Sequence, residues 1–187
     1  QVIQPGDNRR FGRHRHEIVQ IDAAYGGERF DLHLYLPDGA AVPCQTLVWI
    51  PGVSAFQVTE FSSYRDTAEQ RYHLALLDAG YAVCFPIAKG MFERGDGTTL
   101  HGGVRDRDRL VAISRDVRRA VDYLATRQDI ALDGLGMLGV SWGGRMGAII
   151  PAIEDRLKVQ VLVVGGFSMQ RPMAEGDQFN FASRVTI

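Results

Sequence analysis

The segment GVSWGG, residues 139–144, places one serine among closely set glycines, directly after the apolar run GLGML at residues 134–138. The apolar run indicates a buried strand, and the residues after the serine indicate the start of a helix. A sharp turn between a strand and a helix leaves no room for side chains beside the serine, so glycines are required there. We therefore expect Gly139 and Gly143 to shape such a turn and Ser141 to be a catalytic nucleophile.

Outward from this segment, strand and helix patterns alternate along the chain. Residues 17–21 and 30–36 predict two strands joined by a glycine-containing turn, which is typical of an antiparallel hairpin. The later strands are continuously apolar and alternate with helices, which predicts an α/β fold with a mostly parallel sheet and helices on both faces. The later strands are predicted at 46–50, 81–87, 135–140 and 159–164, and the helices at 65–79, 110–124 and 143–153.

Two loops, residues 89–105 and 165–184, are longer than the connections require. Both leave the carboxyl ends of predicted strands, which is the edge where open α/β sheets bind ligands. The helix after Ser141 would also direct its N-terminus toward this edge, where it would favour developing negative charge. We therefore expect the functional site at this edge.

A catalytic serine of this kind needs backbone N–H groups that bind the negatively charged oxygen of the reaction intermediate. The residue after the serine supplies one donor, and the loop after the third strand of the sheet supplies the other. We therefore expect this oxyanion hole to use the N–H groups of Trp142 and Val53, the latter within PGVSA at residues 51–55. Alternatively, Pro51-Gly52 is a plain turn without a catalytic role.

The glycines at residues 134–139 also match G-x-G-x-x-G, the pattern of dinucleotide-binding turns. Such a turn should follow a strand, and its acidic partner should end the next strand. Here only a short apolar stretch precedes the glycines, and Glu154 and Asp155 come before the next strand. The placement therefore argues against a dinucleotide cofactor.

Composition indicates one globular domain, and we divide the chain into a basic tail at 1–15 and an α/β domain at 16–187. The chain has 187 residues with 21 Lys and Arg against 22 Asp and Glu, a balance that gives no electrostatic support to nucleic-acid binding.

Two cysteines argue against a disulfide framework and a thiolate zinc site. No apolar run approaches the ~18 residues of a membrane span. We expect neither a metal nor an organic cofactor.

The motifs resemble those of α/β-hydrolases, in the branch of esterases, dienelactone hydrolases and prolyl-oligopeptidase-type domains. The resemblance includes the opening hairpin and spans nearly the whole chain, although only the serine motif is specific. The matching segments are WIPGVSAF at 49–56, DYLATRQDI at 122–130 and LGVSWGGRMG at 138–147. AKGMFERGDG at 88–97 is similar, more weakly, to bacterial hydrolase domains attached to serine/threonine protein kinases.

The resemblance implies a serine hydrolase that acts on a small-molecule ester or acyl substrate, with an amide or peptide bond as the lesser alternative. It implies the strand order 1-2-4-3-5-6-7-8 and a catalytic triad in the chain order serine, acid, histidine. The alternative from a different class is a non-catalytic domain of the same fold that serves binding or interaction.

The histidines depart from this order, because all five precede the serine: His14, His16, His33, His73 and His101. We place the first two in the tail, His33 on the polar face of a strand and His73 inside a helix. His101, in a long loop, is the histidine nearest to the expected site. The acids after the serine are Glu154, Asp155, Glu175 and Asp177, and none has the expected position after a seventh strand.

Residues 184–187 resemble the beginning of that seventh strand. We therefore expect the triad acid and histidine, together with the C-terminal strands, to lie beyond Ile187. On this hypothesis the chain alone is poorly active, and strand 159–164 is left exposed at an edge of the sheet. A further segment or a partner chain would then complete the sheet.

Overall fold

The computed structural model describes residues 2–5, 14–64, 68–97, 103–167 and 173–185. Within them, seven strands form one sheet. The strands are β1 (Val2–Pro5), β2 (Arg15–Asp22), β3 (Arg29–Leu36), β4 (Cys44–Ile50), β5 (Ala82–Pro86), β6 (Ile130–Val140) and β7 (Val159–Val163). The α-helices are α1 (Phe61–Tyr64), α2 (Ala68–Asp78), α3 (Val104–Leu124) and α4 (Trp142–Arg145). None of these helices combines the length and apolar character that crossing a membrane would require.

The strand order is β1-β2-β3-β5-β4-β6-β7. Strands β1, β2, β3 and β5 pair in antiparallel fashion, whereas β5, β4, β6 and β7 run parallel to one another. From β2 onward this is the order 1-2-4-3-5-6 that the resemblance implies, and the expected α/β fold is confirmed. Strand β1 is an addition, and it lies within the residues assigned to the tail.

Continuously apolar strands occupy the middle of the sheet because both of its faces are covered. Every residue of β5 is buried, and Val48, Trp49 and Ile50 of β4 are exposed by 1% or less. Helix α3 contributes Ile113, Val117 and Val121 to the same core. The apolar spacing predicts this helix from residue 110, but the helix begins earlier, at Val104.

A buried carboxylate on α3 holds the loops of the N-terminal half together. One oxygen of Asp116, Oδ2, accepts hydrogen bonds from Arg94 Nη1 at 2.6 Å, Tyr25 Oη at 2.8 Å and the Lys89 amide at 2.9 Å. Arg94 also donates to Glu28 in the hairpin turn at 3.0 Å. The hairpin and the loop after β5 are therefore fixed to α3 through one side chain.

Two histidine predictions are wrong, because the second face of the hairpin is covered rather than solvated. His16 belongs to β2 and is buried, and its Nε2 lies 2.9 Å from Nδ1 of His33, which is buried as well. The His33 ring packs 4.1 Å from the ring of Phe61 in α1, and the His16 ring stacks 4.2 Å from that of Tyr35. Helix α1 thus covers the face that the alternation of residues marked as polar.

The helix predicted at 143–153 is also much shorter than expected. Helix α4 has four residues and continues only as a 3₁₀ turn at Met146–Ala148. Three glycines in these residues lower helix propensity, and Pro151 disfavours helical backbone in the residue before it. The dipole of a long helix therefore does not act at Ser141. Only the N–H groups of one short turn face negative charge there.

Strand β7 forms an edge of the sheet within the described residues, as expected. Its apolar side chains are largely uncovered, with Val159 exposed by 57%, Val161 by 41% and Leu162 by 46%. The strand expected from residue 184 is not seen there, because Arg184 ends a 3₁₀ turn, Ala182–Arg184. Residues 186 and 187 lie outside the described ranges.

Candidate active site

Ser141 occupies a single strained residue between β6 and α4. Its backbone has φ +50° and ψ −109°, a conformation that residues other than glycine rarely adopt. The turn is held on both sides, because the Ser141 amide donates to the Val163 carbonyl at 2.8 Å and the Ser141 carbonyl accepts from the Arg145 amide at 3.1 Å. The serine side chain is exposed at the carboxyl edge of the parallel strands.

The glycines of the motif are required by close contacts between main-chain segments. A Cβ atom on Gly139 would overlap the carbonyl oxygen of Gly143, and one on Gly143 would overlap the carbonyl oxygen of Ile50 at the end of β4. A Cβ on Gly144 would lie 2.6 Å from the Cα of Gly165, just after β7. The turn is therefore pressed against both neighbouring strands, and no other residue type fits these places.

The serine lies on a cavity of about 450 Å³ at this edge of the sheet. Its lining consists of Val53, Ser141, Trp142, Arg145, Val164, Gly165, Gly166 and Phe167. Val53 opens a 3₁₀ turn, Val53–Phe56, shortly after β4, and β4 is the neighbour of β6. Because the two strands are parallel, their final residues bring the loop of Val53 and the turn of Ser141 to one place.

Two backbone N–H groups are available on this cavity. In the described part of the chain, neither Val53 nor Trp142 donates its amide to a backbone carbonyl. The Trp142 ring packs edge-on against Phe56, with 4.7 Å between ring centroids, which fixes α4 against the turn that carries Val53. The two residues named as oxyanion donors from the sequence therefore lie on the same cavity as Ser141.

The described histidines do not line this cavity. His14 Nε2 lies 3.3 Å from Asp78, His16 and His33 face each other in the hairpin, and His73 packs edge-on against Trp49. Burial lowers the pKa of His73 to about 3, so its imidazole is neutral at ordinary pH. His101 lies outside the described residues.

The four acids after the serine are equally absent from the lining. Glu154 is buried, and its carboxylate accepts a hydrogen bond from Arg156 at 2.6 Å. Burial raises the pKa of Glu154, but the hydrogen bonds from Arg156 outweigh burial and hold this pKa below its usual range. Asp177 accepts a hydrogen bond from the amide of Phe179, and Glu175 lies 3.9 Å from Arg107. Asp155 is exposed. Among the described residues, no histidine or carboxylate therefore reaches Ser141.

Two features of the site were missed by the sequence analysis. Arg145 lines the cavity four residues beyond Ser141, and its sequence position alone indicates no role. Phe167 forms part of the wall and stacks on Phe179, with 4.7 Å between centroids. Gln178 joins these parts, because its Nε2 donates to the carbonyl oxygens of Arg145 and Gly166. The length of the loop at 165–184 was the available signal, but not the identity of its contacts.

The pattern G-x-G-x-x-G at residues 134–139 lies inside β6. A phosphate-binding turn needs these glycines in the loop between a strand and a helix, so they cannot form one here. In the described residues, no group of three His, Cys, Asp or Glu side chains is arranged to hold a metal ion.

Comparisons with known proteins match the fold of the chain rather than its sequence. No protein-family model matches, and no curated protein matches significantly. One similar structure is named as a dienelactone hydrolase from Klebsiella pneumoniae, with 16% sequence identity and a TM-score of 0.66. A second is a glucuronoyl esterase from Solibacter usitatus, with 17% identity and a TM-score of 0.65. A third is an acetyl xylan esterase from Paenibacillus sp. R4, with 17% identity and a TM-score of 0.63.

These matches include 99%, 93% and 86% of this chain, but only 70%, 53% and 52% of the respective proteins. The chain therefore spans between half and 70% of the length of these structures. The chain has the α/β-hydrolase fold.

Proposed function

We propose that the chain carries the nucleophile of a serine hydrolase that cleaves ester bonds. The observation that carries this proposal is the strained turn of Ser141, which presents the serine on a cavity shared with the Val53 and Trp142 amides. Strained backbone of this kind costs on the order of 1–3 kcal/mol and tends to persist at functional sites. The names of the similar structures, which are esterases and a dienelactone hydrolase, favour an ester over an amide bond.

In this mechanism the Ser141 Oγ attacks the carbonyl carbon of the ester and gives its proton to a general base. The carbonyl oxygen becomes negatively charged and accepts hydrogen bonds from the Val53 and Trp142 amides. The alcohol leaves with a proton from the base, and an acyl group stays on Ser141. Water, activated by the same base, then releases the acid and restores the serine.

The general base and its acid must come from outside the described lining of the cavity. A histidine supplied by a further segment or a partner chain would meet this need, and such a segment would also cover the exposed edge strand β7. The assay therefore uses the protein expressed from its complete reading frame.

The test is covalent labelling with a fluorophosphonate, a reagent that phosphonylates activated serines. We expect wild-type protein to be labelled and Ser141→Ala to be unlabelled, with turnover of 4-nitrophenyl acetate reduced by several orders of magnitude. A residual rate of ~10³–10⁴ over water is typical when one member of a triad is removed. Ser63→Ala, on the exposed side of α1, is the matched control and should label normally.

The alternative is a binding domain that keeps the turn without catalysis. The absence of a histidine or carboxylate among the described lining residues favours this candidate. Wild-type protein that is never labelled would decide for the binding domain, whereas labelling that survives Ser141→Ala would place the nucleophile at another residue.

A further inference from the structure

Arg145 lies four residues after Ser141 and lines the same cavity. The amide of Arg145 donates to the Ser141 carbonyl at 3.1 Å, and both side chains line the 450 Å³ cavity. A group bound by the guanidinium would therefore share this cavity with a carbonyl carbon held at Ser141.

The guanidinium of Arg145 has no acidic partner among the described residues. It is half-buried, and burial lowers its pKa with no carboxylate to oppose the effect. Other partly buried arginines have acidic partners: Arg94 bonds to Asp116 and Glu28, and Arg127 bonds to Asp129 and Glu17. The acids of the adjoining wall are engaged elsewhere, Asp177 with the Phe179 amide and Glu175 toward Arg107.

A guanidinium presents five N–H donors in a planar arrangement that matches a carboxylate, and leaving them desolvated and unbonded is unfavourable. Arg145 is the single charged side chain in the described lining of the cavity. One positive charge balances the one negative charge of a carboxylate, whereas a phosphate monoester carries nearly two. Val164 and Phe167, on the same lining, supply apolar surface for a connecting hydrocarbon chain.

We propose that Arg145 binds a carboxylate of the substrate, so that the preferred substrates are esters whose acyl part ends in a free carboxylate. This inference rests on the proposed function, since it assigns the substrate class of the site at Ser141. Arg145 then determines specificity: it holds the substrate by its charged end and places the reacting carbonyl against the serine.

The kinetic test compares two esters with acyl chains of equal length, mono-4-nitrophenyl adipate and 4-nitrophenyl hexanoate, each corrected for its uncatalysed rate. We expect wild-type protein to prefer the adipate. Arg145→Gln should lower the ratio of the two kcat/KM values by about 10- to 100-fold, as is typical for loss of a charge-assisted hydrogen bond, mainly through KM for the adipate. Arg145→Lys, which keeps the charge but loses the planar arrangement, should give an intermediate ratio.

Arg115→Gln removes the same charge from an exposed position on α3 and should leave the ratio unchanged. Equal losses for both esters in Arg145→Gln, an equal change in Arg115→Gln, or a wild-type protein that does not prefer the adipate would overturn the inference. If Arg145→Gln does not fold, competitive inhibition of the wild-type protein by adipate and by neutral adipamide is measured instead. Tighter inhibition by adipate supports the inference, and equal inhibition overturns it.

A binding measurement separates this inference from the proposed function. By calorimetry, Ser141→Ala should bind adipate and not adipamide, and Ser141→Ala/Arg145→Gln should bind neither. If Ser141→Ala retains full turnover, the proposed function fails, while adipate binding that depends on Arg145 still supports a carboxylate site. Tighter binding of inorganic phosphate than of adipate would overturn the carboxylate assignment.

Discussion

The amide of Ser141 donates a 2.8 Å hydrogen bond to the carbonyl oxygen of Val163, the last residue of β7. The serine turn is thus bonded directly to a strand that has no neighbour on its outer side within the described residues. The position of Ser141 therefore depends on β7, and a strand that pairs with β7 would bear on Ser141 through this hydrogen bond.

Strand β7 should make this 187-residue chain self-associate. Its outer edge offers unpaired backbone groups, and its exposed valines and leucine favour pairing with another strand. We expect Val161→Lys to raise the monomer fraction, since a charge on an edge strand opposes pairing. Val42→Lys, in an exposed loop, is the control. Sedimentation velocity provides the measurement, and a wild-type chain that is monomeric at every concentration would contradict the expectation.

Gly143→Ala should be among the most destabilising substitutions of the site. The added methyl group would overlap the Ile50 carbonyl, and two strands would have to separate to accept it. We expect the free energy of unfolding to fall by about 3 kcal/mol or more, at the upper end of overpacking effects. Gly166→Ala is the control, because its Cβ would meet no atom within 4 Å. Urea denaturation should separate the two variants clearly, and similar midpoints would refute this account of the turn.

Removal of the Asp116 carboxylate should release the loops that it holds. Asp116→Ala removes one of the two carboxylate partners of Arg94 and three hydrogen bonds to a charged acceptor. The free energy of unfolding should fall by about 3–5 kcal/mol. Asp108→Ala, on the same helix but 63% exposed, should change it by less than about 1 kcal/mol. Denaturant unfolding tests the difference, and limited proteolysis shows whether cleavage begins in the loop after β5.

His73 should make stability fall in mildly acidic solution. Burial lowers its pKa from 6.5 to about 3, so between these values the unfolded chain binds a proton that the folded chain does not. The free energy of unfolding therefore falls as pH falls through this window, by up to about 1.4 kcal/mol per pH unit from this group. His73→Leu should show a shallower decline between pH 6 and pH 4. Urea titrations of both proteins provide the measurement, and equal slopes would exclude His73 as the cause.

The sequence was most informative where periodicity reports burial directly. Alternating and continuous apolar runs predicted β2 to β7 within a few residues, because these strands occupy one or two buried faces. The same reasoning failed at His33, whose burial depends on Phe61 from a distant turn of the chain. It failed again at α4, where a local pattern suggested a long helix that glycines and Pro151 prevent.

The residues of the candidate site also differ in whether a local sequence pattern could predict them. The turn at Ser141 has a local sequence signature, because its steric requirements fall on adjacent glycines. The unpaired state of Arg145 has none, since it follows from where the acids of the loop at 173–185 lie after folding. Charge pairing between distant residues depends on their positions in the folded chain and cannot be predicted from composition or spacing.

The main-chain contacts at Gly139, Gly143 and Gly144 also govern how this motif survives divergence. The atoms that fill the space at these positions belong to the backbone of neighbouring segments, whatever side chain stands at position 141. A descendant with another residue in place of Ser141 would still need all three glycines to fold. Selection for folding alone would preserve the glycines of G-x-x-x-G-G through generations of sequence drift. The same contacts place no such requirement on the serine side chain between them.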